Sequence, residues 1–131
     1  MIDLSDSPTL MYVLETRALG QPWLIGGYPG SSAVAVETLG LENCADLAKA
    51  WILIAPESPR HLDQASVMAS FGGGQADYVV AATFETPIID GYFPNAHRQF
   101  LLKPVRSAEL AGQSCHEARR QRPAGQKWST E

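Results

Sequence analysis

The sequence predicts a small Rossmann-like α/β domain with a mainly parallel sheet and an antiparallel edge strand. Short apolar runs alternate with helical patterns in the order β-α-β-α-β-α-β-β, which is typical of strands joined by crossover helices. The run Trp51–Ala55 is continuously apolar, as expected for a strand covered on both faces. The chain has 131 residues, 45% of them hydrophobic, which suits one domain with one core.

The first third of the chain is predicted from short apolar runs and turn residues. Residues 1–8 are polar and contain Pro8, which indicates a lead-in segment. The run TLMYVLE at 9–15 favours a strand. Pro22 can begin a short helix, which the glycines at 26–30 would end. The run AVAVE at 33–37 predicts a second strand.

The middle of the chain alternates helix, strand and helix. LENCADLAKA at 41–50 places Leu41, Ala45 and Ala48 on one helical face, and the strand 51–55 follows. Ser58 is a favourable N-cap and Pro59 suits the first helical position, so a helix is expected from there to Phe71. The three glycines at 72–74 would stop it.

The last third predicts two strands and a tail. The runs 76–85 and 98–105 are expected to pair antiparallel across a loop at 86–97, the second run forming the edge of the sheet. Apolar periodicity fades after Arg106. We therefore place a single domain at residues 1–106 and expect 107–131 to be a polar, partly basic and flexible tail.

Composition and charge exclude several classes of protein. The net charge of −4 argues against a nucleic-acid surface covering the fold. The chain contains no apolar run of the length that a membrane span needs. The acidic start lacks the pattern of a signal peptide, so a chain complete as printed is expected to stay in the cytoplasm.

Motifs for cofactors and metals are absent from the sequence. GGYPGSS lacks the lysine of a P-loop, and no G-x-G-x-x-G follows the first predicted strand. The three histidines form no close pair of the kind that binds metals. We therefore expect no cofactor, no metal site and no catalytic residue. Cys44 and Cys115 make no disulfide framework and are expected to be free thiols, with a disulfide as the alternative.

Polar residues at the ends of predicted strands form the candidate ligand site. Glu15, Arg17, Glu57 and Ser58 follow predicted strands, and ligands of parallel sheets bind beyond the carboxyl ends of the strands. Alternatively, Ser58 only caps a helix and Glu57 favours its positive end. Tyr92 and Phe93, in the predicted loop, are candidate anchors for a protein partner.

The segments LMYVLETRALGQPWLIGGY and AKAWILIAPES, followed by ADYVVAATFE and RQFLLKPV, resemble a known arrangement. Over residues 9–106 their order is similar to that of the soluble C-terminal domain of multi-spanning bacterial glycosyltransferases, the dolichyl-phosphomannose mannosyltransferase group. The resemblance implies a non-catalytic accessory domain on the extracytoplasmic face, next to a membrane-embedded enzyme portion that uses polyprenyl-phosphate sugars. It implies a polar glycan acceptor as a partner and transfers no catalytic residue.

Three functions therefore follow from the sequence. The first is the non-catalytic accessory module. The second is a small stand-alone enzyme or anion-binding protein with its site at the strand ends. The third is a protein-interaction domain that uses its last strand or the 86–97 loop. We expect the first.

Overall fold

The computed structural model describes residues 1–5, 18–20, 26, 28–58, 61–86 and 97–121. In this part of the chain, four strands and four α-helices form a mixed α/β fold, which confirms the predicted class. The elements are β1 Ile2–Leu4, α1 Ser31–Gly40, α2 Cys44–Lys49, β2 Ile52–Ile54, α3 Gln64–Ala69, β3 Tyr78–Thr86, β4 His97–Pro104 and α4 Ala108–Gln121. No helix among the described residues is long and apolar enough to cross a membrane.

The described strands form one sheet in the order β1-β2-β4-β3. β1 and β2 are parallel, whereas β4 is antiparallel to both β2 and β3. The antiparallel pairing of the last two strands is confirmed, but β4 lies inside the sheet and β3 lies at the edge of the described strands. β4 suits the inner position because Leu101 is buried and Leu102 packs against the core. A mainly parallel, Rossmann-like sheet is not confirmed, since two of these three pairings are antiparallel.

The first residues belong to the core, so the prediction of a polar lead-in at 1–8 is wrong for Ile2–Leu4. Ile2 and Leu4 are fully buried and pair with Ile52 and Ile54 of β2. A three-residue strand gives too short an apolar pattern to detect in a polar segment. The candidate strand at 9–15 and the candidate helix after Pro22 lie outside the described residues.

One face of the sheet packs against the helices. Ile2, Ile52 and Leu102 occupy facing positions across three strands and share one core with side chains of all four helices. The other face of β2 is also buried, since Leu53 is inaccessible to solvent. The prediction that this strand is covered on both faces is therefore confirmed.

The segment AVAVE is helical, so the predicted strand at 33–37 is wrong. Ser31, Ala35 and Leu39 recur at the four-residue spacing of one helical face and are buried. Gly30 is the N-cap of α1 and has a φ of 78°, a left-handed conformation that glycine adopts without steric cost. The Ala–Val alternation at 33–37 resembles a strand when it is read alone. The helical spacing of the buried residues becomes visible only when Ser31 and Leu39, on either side of this run, are included.

The predicted helix at 41–50 is confirmed as the shorter α2, but its buried face differs. Asn43 caps α2 by accepting a hydrogen bond from the Asp46 N–H. Because α2 begins there, Cys44, Leu47 and Ala48 point into the core. Leu41 terminates α1 instead and is 89% exposed.

The helix expected from Ser58 begins later, at Gln64. The Asp63 carboxylate caps α3 by accepting hydrogen bonds from the Ser66 N–H and hydroxyl. Ser58 lies in a turn instead, where its N–H donates to the Ala55 carbonyl. The predicted glycine stop is confirmed, because Gly72 adopts a φ of 78° just after the helix.

Residues 108–121 form α4, so the prediction of a flexible tail is wrong for this segment. Cys115 of α4 and Cys44 of α2 form a disulfide with their Cα atoms 5.7 Å apart, and the prediction of free thiols is also wrong. Both cysteines are buried. Seventy-one positions separate them in the sequence, so only the folded chain brings them together.

Polar contacts dock α4 onto the loops around it. The Arg119 guanidinium donates to the carbonyl oxygens of Leu39 and Glu42 at the end of α1, where helical carbonyls lack partners in their own helix. Arg106, just before α4, donates to the Gly72 carbonyl over 3.0 Å and pairs with Asp77. The basic residues that predicted a solvated tail therefore include one that holds α4 in place.

Reduction of the disulfide should lower the free energy of unfolding. The crosslink closes a loop of about 70 residues, for which loop-closure entropy predicts roughly 4 kcal/mol. Urea denaturation with and without dithiothreitol measures the effect. The double variant C44S/C115S serves as the control and should be insensitive to the reductant. Equal midpoints for the oxidised and reduced wild-type protein would contradict the expectation.

Gly72→Ala should destabilise the protein more than Gly30→Ala does. Both glycines have a φ of 78°, so both substitutions carry the left-handed cost of about 1–2 kcal/mol. A Cβ at Gly72 would lie 2.4 Å from the Ser114 backbone, whereas a Cβ at Gly30 has no atom within 4 Å. Urea denaturation of the two variants compares them. Equal losses would show that α4 does not pack tightly against this loop.

Candidate functional site

The carboxyl ends of β1 and β2 lie together at one edge of the sheet, called here the carboxyl edge. The two strands are parallel and adjacent, with Leu4 opposite Ile54. β4 is antiparallel to β2 and begins at the same edge, because Phe100 lies opposite Ile54. The polar residues that follow β1 and β2 and those that begin β4 are therefore neighbours in space. This is the kind of edge at which the sequence predicts a ligand.

Two of the four predicted ligand residues lie at the carboxyl edge. Glu57 and Ser58 lie in the turn that follows β2, after Ala55 and Pro56. Glu15 and Arg17 lie outside the described residues, as do the predicted interaction residues Tyr92 and Phe93. The prediction that all four ligand residues lie together therefore stays a prediction. So does the prediction that Tyr92 and Phe93 bind a protein partner.

Glu57 holds the start of β4 through its carboxylate. Its Oε1 accepts the Arg98 backbone N–H over 2.7 Å, and its Oε2 pairs with the Arg98 guanidinium over 2.9 Å. The hydrogen bond to Glu57 and the carboxylate's charge raise the pKa of Arg98. The Arg98 guanidinium also lies 5.4 Å from the centre of the Phe100 ring. Glu57 thus joins the end of β2 to the beginning of β4.

Ser58 is enclosed by the turn after β2. It is buried, its N–H donates to the Ala55 carbonyl, and its own carbonyl accepts the His61 N–H. The His61 ring atom Nδ1 lies 2.6 Å from the same carbonyl. A hydroxyl in this position cannot reach a substrate in solution, so Ser58 supports the turn.

Three further polar residues near this edge are buried, and the sequence did not predict them: Asp3, Ser5 and Gln99. The Asp3 carboxylate accepts hydrogen bonds from the Ser5 hydroxyl over 2.5 Å and from the Ser5 N–H over 2.9 Å. The alternation of Ile2, Asp3 and Leu4 was the available signal, since it turns the carboxylate away from the helical core.

Continuing the observed register by one residue places Ala55 between Ser5 and Gln99. This row consists of a polar, a small and a polar residue, and it crosses three neighbouring strands that lie about 4.8 Å apart. It lies on the face of the sheet opposite the helices, as Asp3 does. The burial of these groups makes the row part of the sheet's interior rather than an open site.

At the carboxyl edge, the described polar side chains are engaged with one another or enclosed by the fold. Glu57 is engaged by Arg98, Asp3 accepts from Ser5, and Ser58 is enclosed. Among the described residues at this edge, the Arg98 cation faces a carboxylate, which reduces its attraction for an anionic ligand. Within the same part of the chain, no three His, Cys, Asp or Glu side chains are grouped to hold a metal ion.

A cleft of about 620 Å³ lies elsewhere, between the loop after α3 and the outer side of α4. Gly72 and Gly73 form one wall, and Gln113, Glu117 and Gln121 contribute to the other. Arg120 pairs with Glu117, and the Gln121 amide donates to the same carboxylate. These contacts hold the pKa of Glu117 below its usual value, with the Arg120 hydrogen bond as the main cause. Glu117, Arg120 and Gln121 thus find partners within α4.

Asp3→Ala should destabilise the protein more than Glu57→Ala. Loss of the buried Asp3 carboxylate removes the acceptor of two hydrogen bonds, which we expect to cost about 2–3 kcal/mol. Glu57 and Arg98 form an exposed pair, so Glu57→Ala should cost less than about 1 kcal/mol. Urea denaturation of both variants gives the comparison. A larger loss for Glu57→Ala would show that the surface pair, and not the buried carboxylate, holds this edge together.

Comparisons of the chain with protein-family models, with curated proteins and with solved structures found no match.

Proposed function

We propose that the chain is a non-catalytic α/β module, the accessory extracytoplasmic domain of a membrane glycosyltransferase that uses a polyprenyl-phosphate sugar. The observation that carries the proposal is the Cys44–Cys115 disulfide. The resemblance of residues 9–106 to such domains supplies the enzyme class. The disulfide is evidence independent of that resemblance, and it supports the same extracytoplasmic location.

A disulfide of this kind favours an oxidising compartment. Structural disulfides persist outside the cytoplasm, whereas cytosolic reductants keep most thiols reduced. This crosslink is buried and joins two helices of the core, which are features of a structural bridge rather than a redox-active one. An extracytoplasmic location is therefore the environment in which this fold is most stable.

The carboxyl edge supports the non-catalytic part of the proposal. Among the described residues of this edge, the Glu57 carboxylate forms an ion pair, the Asp3 carboxylate accepts hydrogen bonds from Ser5, and the Ser58 side chain is buried. This arrangement does not favour the alternative of a small enzyme or anion-binding protein that uses Glu57 and Ser58. The alternative of an interaction domain built on Tyr92 and Phe93 concerns residues outside the described part of the chain.

In the proposed role, the module helps to hold or admit a polar glycan acceptor beside the membrane-embedded portion of the enzyme. A Rossmann-like sheet belongs to the same proposal.

Fractionation combined with thiol trapping tests the proposal in cells of the organism that encodes the chain. An antibody against the purified domain should detect a membrane-bound protein much larger than 14.2 kDa. Its Cys44 and Cys115 should react with a maleimide-polyethylene glycol reagent only after reduction. A cytosolic marker protein with free thiols is the control for reagent entry. A soluble band near 14.2 kDa with both cysteines modified before reduction would overturn the proposal.

A further inference from the structure

Exposed apolar side chains concentrate at the end of the sheet opposite the carboxyl edge. Seven large hydrophobic residues of the described chain are exposed, and five of them lie where β2 and β3 begin, β4 ends and α4 begins. We call these five the apolar rim: Trp51, Val79, Val80, Val105 and Leu110. The other two, Tyr28 and Leu41, flank the two ends of α1.

The apolar rim surrounds one end of the molecule rather than forming a flat face. Val79 and Val80 are consecutive in β3, so their side chains point to opposite faces of the sheet, yet both are about half exposed. Leu110 projects from the first turns of α4. Apolar groups arranged around a tip suit shallow insertion into a soft interface better than flush contact with a rigid protein surface.

Cationic side chains accompany the apolar rim. The Lys103 ammonium lies 5.8 Å from the centre of the Trp51 ring, and Lys103 also faces Val79 across the β3–β4 pair. Lys49 ends α2, two residues before Trp51, and is exposed. Trp51, Lys103 and Val79 therefore form a cross-strand row that joins an aromatic ring, a cation and an apolar group.

The described residues at this end carry a local charge opposite in sign to that of the whole chain. Asp77 is paired with Arg106, and the remaining charged side chains described there are Lys49, Lys103 and the exposed Glu109. The complete chain carries a net charge of −4. Positive charge thus coincides with exposed apolar groups on an otherwise acidic protein, which is complementary to an anionic surface.

We propose that the apolar rim docks on the surface of an anionic phospholipid bilayer. Tryptophan rings are favourable at the boundary between lipid headgroups and acyl chains, and the rim residues can bury their apolar surface there. The lysines lie close enough to the same boundary to interact with lipid phosphates. This inference does not depend on the proposed glycosyltransferase role, since it rests on the side chains of one end of the domain.

Vesicle flotation of the full, oxidised chain tests the inference. The protein should float with vesicles of phosphatidylglycerol and phosphatidylcholine, and binding should weaken with vesicles of phosphatidylcholine alone or at high salt. Lys103→Gln should reduce the affinity roughly fivefold. Trp51→Ala should reduce it about tenfold, because a tryptophan ring is favourable at the headgroup boundary and buries apolar surface there.

Matched controls separate docking from general effects. Tyr28→Ala removes an exposed aromatic ring beside the start of α1, and Arg120→Gln removes an exposed cation from the last turn of α4. Neither should change vesicle binding. Circular dichroism establishes that each variant is folded. A protein with Phe in place of Trp23 and Trp128 retains Trp51 as its fluorophore, and its emission should shift to the blue on binding.

Three results would overturn the inference. The first is that the folded protein fails to bind anionic vesicles. The second is that it binds them but is equally affected by rim and control substitutions. The third is a stable dimer in light scattering that Trp51→Ala dissociates, since the rim would then join two copies of the chain. Loss of vesicle binding would leave the membrane-enzyme proposal standing, because fractionation and thiol trapping test that separately.

Discussion

The disulfide between Cys44 and Cys115 is the constraint on which the helical layer depends. α2 has six residues and α4 is largely polar, with Ala111 and Cys115 as its buried residues. A helix that buries so little apolar surface gains little free energy from docking, because the hydrophobic contribution is roughly proportional to the area buried. The disulfide adds stability that the few apolar contacts of α4 do not provide, because it restricts the conformations of the unfolded chain.

The contacts around the disulfide depend on the position that it gives to α4. The backbone at Ser114 and Cys115 approaches Gly72 so closely that a side chain at residue 72 would collide with it. Arg119 then reaches the exposed carbonyls at the end of α1, and Arg106 reaches the Gly72 carbonyl. Each arginine satisfies carbonyl oxygens that end a helix or line a turn. Arg106 and Arg119 therefore complete the fold rather than project from it.

The two ends of the sheet differ in chemistry, and the difference bears on function. At the carboxyl edge, Glu57 is paired with Arg98 and the Asp3 carboxylate is buried beside Ser5, so the polar groups stabilise one another. At the opposite end, Trp51 and its neighbours expose apolar surface next to lysines. Among the described residues, the polar groups thus engage one another at one end of the sheet, whereas apolar and cationic groups are exposed at the other.

The sequence predicts the elements that have strong local signals. The apolar run at β2, the antiparallel pair β3–β4, the helix α2 and the glycine stop after α3 were all predicted, because periodicity and turn residues act over a few positions. It also placed Glu57 and Ser58 at the edge where parallel strands end. Three further features depend on contacts between residues far apart in the sequence: which strand lies inside the sheet, that Ile2–Leu4 is a core strand, and that AVAVE is helical. The same is true of the pairing of Cys44 with Cys115, because burial and pairing between distant residues produce no local sequence pattern.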